Sequence, residues 1–460
     1  MTNRSRGIAF LIVPVAVAAI CAGGTAQGAP ALRAAPGLNA QIAIPAGPDG
    51  VQNLTLDQAR MRAHVIRPPN VLGVFSDEGL QEGQLRSPLP QGQLTLRAVP
   101  QRTAPAAPNL PGAIRDIPRP SLDVNAFGDA LHAALKDSVA GYAMQLRRNG
   151  MPAYTLIWNW SRAPNDGSQG WTLERRMHIA SVSKLITAMA MTRLLDAKNI
   201  SYDAKIADYL PAYWQKGPNI AQISFRNLLT HTSGFSTGGS SSDYQFMKAQ
   251  VAAGVTSVGA YDYENMNFGL CRILIAVING NVSKNAQFQL TLNDTIWDFV
   301  TIEAYKQYVQ QAVFAPAGVT GATLDGTPNA SLAYGFPASG GGWNSGDLAT
   351  VSGGAGWHMT VNEVLAVMGA FRRGGTIMSA GDAQNMLENG FGVDLTLDTP
   401  AGRLYNKNGR WRDGMNRTEQ SLAYFLPEGM ELVVFANSPV GNPAQFFRDT
   451  VTNIYTANIK

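Results

Sequence analysis

The chain has 460 residues, 45% of them hydrophobic and eight of them Trp, enough apolar material for a packed core and too much for a wholly disordered chain. Only 15% are charged, the formal net charge is +4, and no run of Lys and Arg occurs, which argues against a nucleic-acid partner. Two cysteines, Cys21 and Cys271, exclude a disulfide scaffold.

In chain order, the basic Asn3-Arg4-Ser5-Arg6 precedes an apolar stretch from Ile8 to Ile20 and the small residues Ala22-Gly23-Gly24-Thr25-Ala26. That layout predicts a secretory signal peptide over residues 1–28. The apolar stretch is shorter than the roughly 17–25 residues a bilayer span requires, so no stable membrane span is expected once the signal is removed. Cys271 would then be the remaining thiol. Residues 30–121 hold 14 of the 26 prolines and one aromatic residue, Phe75, whereas every Trp lies between Trp158 and Trp411. A stretch so poor in large apolar groups cannot offset the entropy of ordering its backbone. Residues 29–121 therefore read as a Pro-rich flexible extension, with local strand potential in Gln93-Leu94-Thr95-Leu96-Arg97.

A folded domain is expected over 122–460. Ser121 is an N-cap candidate for the amphipathic stretch Val124–Ala134. Val139–Arg148 and Tyr154–Trp160 read as strands around the hairpin turn Asn149-Gly150. Ser181 to Leu195 reads as a helix with apolar residues round most of its circumference, hence buried. Residues 205–395 alternate helical pieces with Gly/Ser-rich loops such as Ser339–Gly346. Arg403–Lys407, Glu419–Leu426 and Met430–Ala436 return to strands, and Pro443–Tyr455 reads as a closing helix. The expected fold is α+β: an antiparallel sheet built from 122–204 and 396–460, flanked by helices, with a mostly helical insertion over 205–395.

Three short motifs carry chemistry. In Ser181-Val182-Ser183-Lys184 the three-residue spacing puts Ser181 and Lys184 roughly 60° apart on one helix face. A serine hydroxyl needs a base to become a nucleophile, and a lysine whose pKa is lowered by burial or a neighbouring cation can be that base. Tyr263-Glu264-Asn265 supplies a phenol able to shuttle a proton and an amide able to hold a substrate carbonyl or N–H. Lys407-Asn408-Gly409 supplies a cation on a strand, with a glycine that lets a substrate approach the backbone. Each motif alone is weak, but each occurs once in the chain, in the order helix, helical insertion, C-terminal strand.

On these residues the domain resembles the serine β-lactamase and penicillin-binding-protein superfamily. It is most similar to the branch of class C β-lactamases, DD-peptidases and related esterases and amidases. Asn227-Leu228-Leu229-Thr230-His231-Thr232-Ser233-Gly234 and Leu432-Val433-Val434-Phe435-Ala436-Asn437 add to the likeness. The resemblance implies a β-lactamase/transpeptidase-like fold and a covalent acyl-enzyme on Ser181, with Lys184 and Tyr263 sharing the general base and acid roles. It implies that Asn265 holds the acyl-side amide of the substrate. It also implies that the backbone N–H groups of Ser181 and Arg410 hold the oxyanion, and that Lys407 faces Tyr263 and any substrate carboxylate. Asn408, Gly409 and Arg410 complete the substrate strand. The implied substrate is a small ester, amide or peptide, with no cofactor, in a secreted or periplasmic bacterial protein.

Two departures qualify the substrate. Asn408 stands where β-lactamases and peptidases usually have Thr or Ser, which removes a hydroxyl donor for a substrate carboxylate. Esterase or amidase activity is therefore expected ahead of β-lactamase or DD-peptidase activity. Glu264 stands between Tyr263 and Asn265 where a small residue is usual, and is expected to face solvent. The Gly234-Phe235-Ser236-Thr237-Gly238 match to a nucleophile elbow lacks the strand before and the helix after that such an elbow requires. His231 and His358 read as structural, and no His/Cys spacing suggests a metal. A silent homologue that binds cell-wall peptide or a partner protein is the competing class, and intact Ser181, Lys184 and Tyr263 argue for the enzyme.

Overall fold

The computed structural model describes residues 120–238, 241–288, 291–440 and 447–460, together with the backbone of the strand β1 (Thr95–Ala98). The expected signal segment 1–28 and almost all of the extension 29–121 lie outside these residues. Within the extension, β1 falls on the segment with strand potential and pairs antiparallel with β3 (Met151–Arg162), Thr95 opposite Ile157.

The sheet takes its strands from both ends of the domain. β2 (Gly141–Arg148) and β3 form the expected hairpin about Asn149 and Gly150, both at positive φ. β7 (Leu395–Thr399), β8 (Gly402–Arg412), β9 (Thr418–Leu426) and β10 (Met430–Ala436) follow one another antiparallel. β10 closes on β2, giving the order β1-β3-β2-β10-β9-β8-β7, with the short β4 (Gln169–Gly170) on β3. At the domain's margin Ser121 N–H donates to Lys460 O (2.8 Å) and Leu122 bridges Ile459, so the start of the expected domain pairs with its C-terminal residues.

Strand period two divides the interior. On β9 and β10, Leu422, Tyr424, Leu426, Leu432 and Val434 enter one core, and Ala423, Phe425, Val433 and Phe435 enter the other. The first core is covered by α1 (Val124–Leu135) and α9 (Phe447–Ala457). α1 is capped by Asp123, whose carboxylate accepts from Ala126 N (3.0 Å), and places Phe127, Leu131 and Leu135 on its buried face. Each such side chain contributes about 1.5–3 kcal/mol.

The second core lies under the insertion. There α2 (Ser183–Ala197) packs on α5 (Asn265–Ile278) and α6 (Asn293–Val309). α2 and α5 are buried on nearly all sides, which is why their sequences lack a polar face. α3 (Phe225–Leu229), α4 (Tyr244–Ala253), α7 (Val361–Gly369) and α8 (Ala380–Glu388) complete the insertion. The short pair β5 (Met177–His178) and β6 (His358–Met359) is the strand element of this half of the molecule.

Candidate active site

The expected helix from Ser181 begins two residues later. Ala180–Val182 form a single 3₁₀ turn, and α2 starts at Ser183. Ala180 adopts φ 45°, a left-handed conformation that costs an L residue free energy. It is held there by burial against Leu348, Val351, Ala355 and Trp411. The turn rests on β8 and β9: Ser421 Oγ donates to Ile179 O (2.6 Å). A Cβ on Gly409 would lie 2.4 Å from Ile179 O and 2.9 Å from Ser181 N. Gly409 thus makes room first for the Ser181 turn itself, where the sequence suggested room for a substrate.

α2 and α5 bring the first two motifs together. Tyr263 hydroxyl donates to Ser181 Oγ (2.7 Å), and Lys184 Nζ lies 3.0 Å from the same oxygen. Lys184 also donates to Asn265 Oδ1 and to Gly354 O, both at 2.7 Å. Its side chain is wholly buried, and that burial, followed by the charge of Lys407 and opposed by that of Asp394, holds its pKa well below the ordinary 10.5. Nζ thus donates to Ser181 Oγ as well as to Asn265 Oδ1 and Gly354 O, and Ser181 Oγ accepts from both Tyr263 and Lys184. The lowered pKa makes it easier for Nζ to give up one of these hydrogens and present a lone pair to the Ser181 hydroxyl.

The third motif arrives on β8. Lys407 Nζ lies 5.1 Å from the centre of the Tyr263 ring and Lys184 Nζ 5.0 Å from it. Lys407 is 1% exposed and is paired with Asp394, Nζ to Oδ1 2.5 Å. The other oxygen of Asp394 accepts from Asn408 N (3.1 Å). Because Asn408 N–H turns away from β9, the amide of Arg410, two residues on, points to the same edge. That edge lies beyond the last β7 pairing, Leu395 with Asn406, and beside Ser181. Asn408 Oδ1 is buried without a hydrogen-bond partner among the described residues.

Glu264 corrects the expectation that it faces solvent. It is fully buried and accepts from Thr237 N and from Thr237 Oγ1 (2.5 Å). It points away from Tyr263 because side chains of neighbouring extended residues diverge, and it ties the 233–238 loop beneath the site. The Gly-x-Ser-x-Gly match lies in that loop after α3 and a turn, with no strand before it. His231, at φ 56°, stacks on the Tyr263 ring with centres 4.4 Å apart, and its Nδ1 accepts from Glu264 N (3.1 Å). Burial and the two lysines hold its pKa well below 6.5, so it supports the tyrosine as a neutral ring.

A second buried polar cluster lies behind the Ser181 turn. His178 Nδ1 bonds Glu419 Oε2 (3.1 Å), while its Nε2 accepts from Gly356 N (3.1 Å), so the ring is neutral. His358 Nε2 meets Ser345 Oγ (3.3 Å), which also reaches Glu419 Oε1 (3.4 Å). Burial pushes Glu419 up to about 8 and holds His178 at about 3 and His358 at about 4. Among the described residues no group of three or more His, Cys, Asp or Glu is arranged to hold a metal ion, and no helix is long and apolar enough to cross a membrane.

All the site residues expected from sequence therefore fall on or beside the Ser181 turn. Asp394 and Gly354 were not foreseen. Asp394 lies 13 positions before Lys407 in no recognisable motif, and Gly354 contributes only a backbone carbonyl. The pairing of residues 353 and 354 as consecutive glycines was the sole hint that backbone comes close there.

Comparison with known proteins bears on this geometry. The Beta-lactamase family model matches residues 127–456. The chain is 25% identical over 166 residues to PbpX of Bacillus subtilis (strain 168), whose name places it among the penicillin-binding proteins; the alignment covers 34% of this chain and 36% of that one. It is 28% identical over 136 residues to the esterase/beta-lactamase LipL of Mycobacterium tuberculosis, covering 28% and 31%. These alignments span about a third of the length of either relative. The fold is similar to that of a class C beta lactamase from Rhodobacter sphaeroides, with a TM-score of 0.52 and 17% identity, over 72% of this chain and 99% of that one.

Proposed function

The chain belongs to the Beta-lactamase family, and from that premise we propose that it is an exported serine hydrolase that cleaves small esters or amides through an acyl-enzyme on Ser181. The observation that carries this reading is the unbroken chain of hydrogen bonds from Tyr263 through Ser181 to Lys184. Lys184 takes the Ser181 proton as Oγ bonds to the substrate carbonyl carbon. The oxyanion is held by the amides of Ser181 and Arg410. Tyr263 gives its proton to the leaving oxygen or nitrogen as the scissile bond breaks, and regains one from Lys184. Water then attacks the acyl carbon, its proton returns through the same groups to Ser181, and the acid is released. Asn265 holds Lys184 and stands at the acyl side of the bond.

Export rests on the layout of residues 1–28, and a periplasmic or extracellular site suits a family with cell-wall enzymes among its members. Ester or amide substrates come ahead of β-lactams and D-Ala-D-Ala peptides because Asn408 replaces the hydroxyl that would bind their carboxylate, and the relative LipL is named an esterase as well as a beta-lactamase. The test is labelling with a fluorophosphonate, followed by parallel assay of p-nitrophenyl esters, a chromogenic cephalosporin and a D-Ala-D-Ala peptide. Ser181 is expected to be labelled, Ser181→Ala to abolish labelling, and the esters to be the best substrates. An unmodified Ser181 would favour a silent binding homologue.

A further inference from the structure

We propose that Asp394 sets substrate choice at this site by neutralising Lys407, so that the enzyme favours acyl substrates without a carboxylate. The inference rests on the serine-hydrolase reading and names its substrate class.

Lys407 reaches the site beside Tyr263, where a lone ammonium would attract a substrate anion. It does not arrive alone. Asp394 sits against its ammonium group, and both are nearly excluded from water, with side-chain exposures of 1% and 8%. A pair so buried is screened weakly, so the two charges cancel toward a ligand in place of being diluted by solvent. The carboxylate cannot swing away cheaply: its second oxygen accepts from Asn408 N, and its own backbone N–H donates to Asn406 O (2.8 Å). Asp394 is therefore braced at both ends against the strand that carries Lys407.

Lys184 is committed elsewhere: its Nζ donates to Ser181 Oγ, Asn265 Oδ1 and Gly354 O, and burial disfavours its charged form. The next cation toward α9, Arg448, has its own carboxylate in Asp449 (3.0 Å). A substrate carboxylate placed near Lys407 would meet the negative charge of Asp394 within the same ion pair. A neutral acyl chain meets a pair that carries no net charge.

Asp394 acts through Lys407, as a positioning residue for charge. The test uses the full chain and two substrates that differ in charge and by one methyl group: mono-p-nitrophenyl glutarate and its methyl ester, with p-nitrophenol release as the readout. The wild-type kcat/KM is expected to favour the methyl ester by about tenfold or more. Asp394→Asn, which keeps the shape and an acceptor for Asn408, is expected to shift that ratio toward the acid by roughly ten- to a hundredfold. Asp394→Glu is expected to retain the wild-type preference. A wild-type enzyme that hydrolyses both equally or prefers the acid would overturn the inference without any variant. So would an Asp394→Asn enzyme that loses activity on both in proportion, the mark of a merely structural role. If neither substrate turned over and Ser181 stayed unlabelled by fluorophosphonate, the hydrolase reading would fall and the inference with it.

Discussion

Two buried polar clusters lie on either side of the Ala180–Val182 turn, and they differ in where their hydrogen bonds end. Around His178, Glu419 and His358 the ring nitrogens close on one another's neighbours, on Ser345 and on the backbone of Gly356. Around Lys184 the bonds converge on one hydroxyl, Ser181, which the turn holds beside β8 past its last pairing with β7. Both clusters have displaced pKa values, and both owe them first to burial. Displacement therefore does not by itself mark a reacting group; the proposed one is distinguished by the convergence of its neighbours on a single hydroxyl.

Breaking the converging cluster should have the larger consequence. Lys184→Met is expected to lower kcat/KM for p-nitrophenyl esters by about 10³-fold or more, measured beside thermal melting to show that the fold persists. In the wild type a protonated Lys184 has no lone pair for Ser181. Activity should rise as pH rises through its lowered pKa, below the ordinary lysine value of 10.5, and this limb should vanish in the variant.

Tyr263→Phe keeps the ring stacked on His231 and removes the hydroxyl that donates to Ser181. A fall of about 10²-fold is expected, steeper for a poor leaving group such as an alkyl amide than for p-nitrophenolate, which leaves without a proton. Equal falls on both would show that Tyr263 does not protonate the leaving group.

The closed cluster gives the smallest effect on rate. Glu419→Gln should leave kcat/KM within about threefold and alter the pH dependence of stability instead. The unfolded chain loses the Glu419 proton near its ordinary value of 4.5, whereas the folded protein keeps it to about 8. The unfolded state then binds fewer protons across that window, so stability falls as pH rises. His178 and His358 act in the opposite sense and only below the ordinary histidine value of 6.5. Between pH 6.5 and 8 the wild type should lose about 2 kcal/mol, and the variant should show a flat Tm. A large loss of activity in Glu419→Gln would erase the distinction between the clusters.

Much of this could be read along the chain. The strand segments Val139–Arg148, Glu419–Leu426 and Met430–Ala436, the Asn149-Gly150 turn and the apolar circumference of α2 are local patterns, and each predicted its element. β7 was not foreseen, because five residues reading Leu-Thr-Leu-Asp-Thr carry little apolar content and lie at the sheet's edge. Ser181, Lys184, Tyr263 and Lys407 were legible because their residue types and spacings are tied to one chemistry. Glu264 was misread because its burial depends on Thr237, a partner 27 positions away.

The amino-acid sequence by itself determined most of the elements, the family likeness and the candidate site residues, since these follow from periodicity and from motifs a few residues long. Tertiary structure alone decided their electrostatic state. Whether Lys184 is a base depends on burial and on two acceptors, one 81 and the other 170 positions away. Whether Lys407 is a usable cation depends on Asp394, which no local pattern attaches to it. Charge in a protein interior is set by what lies within a few ångströms in space, and spacing along the chain does not record it.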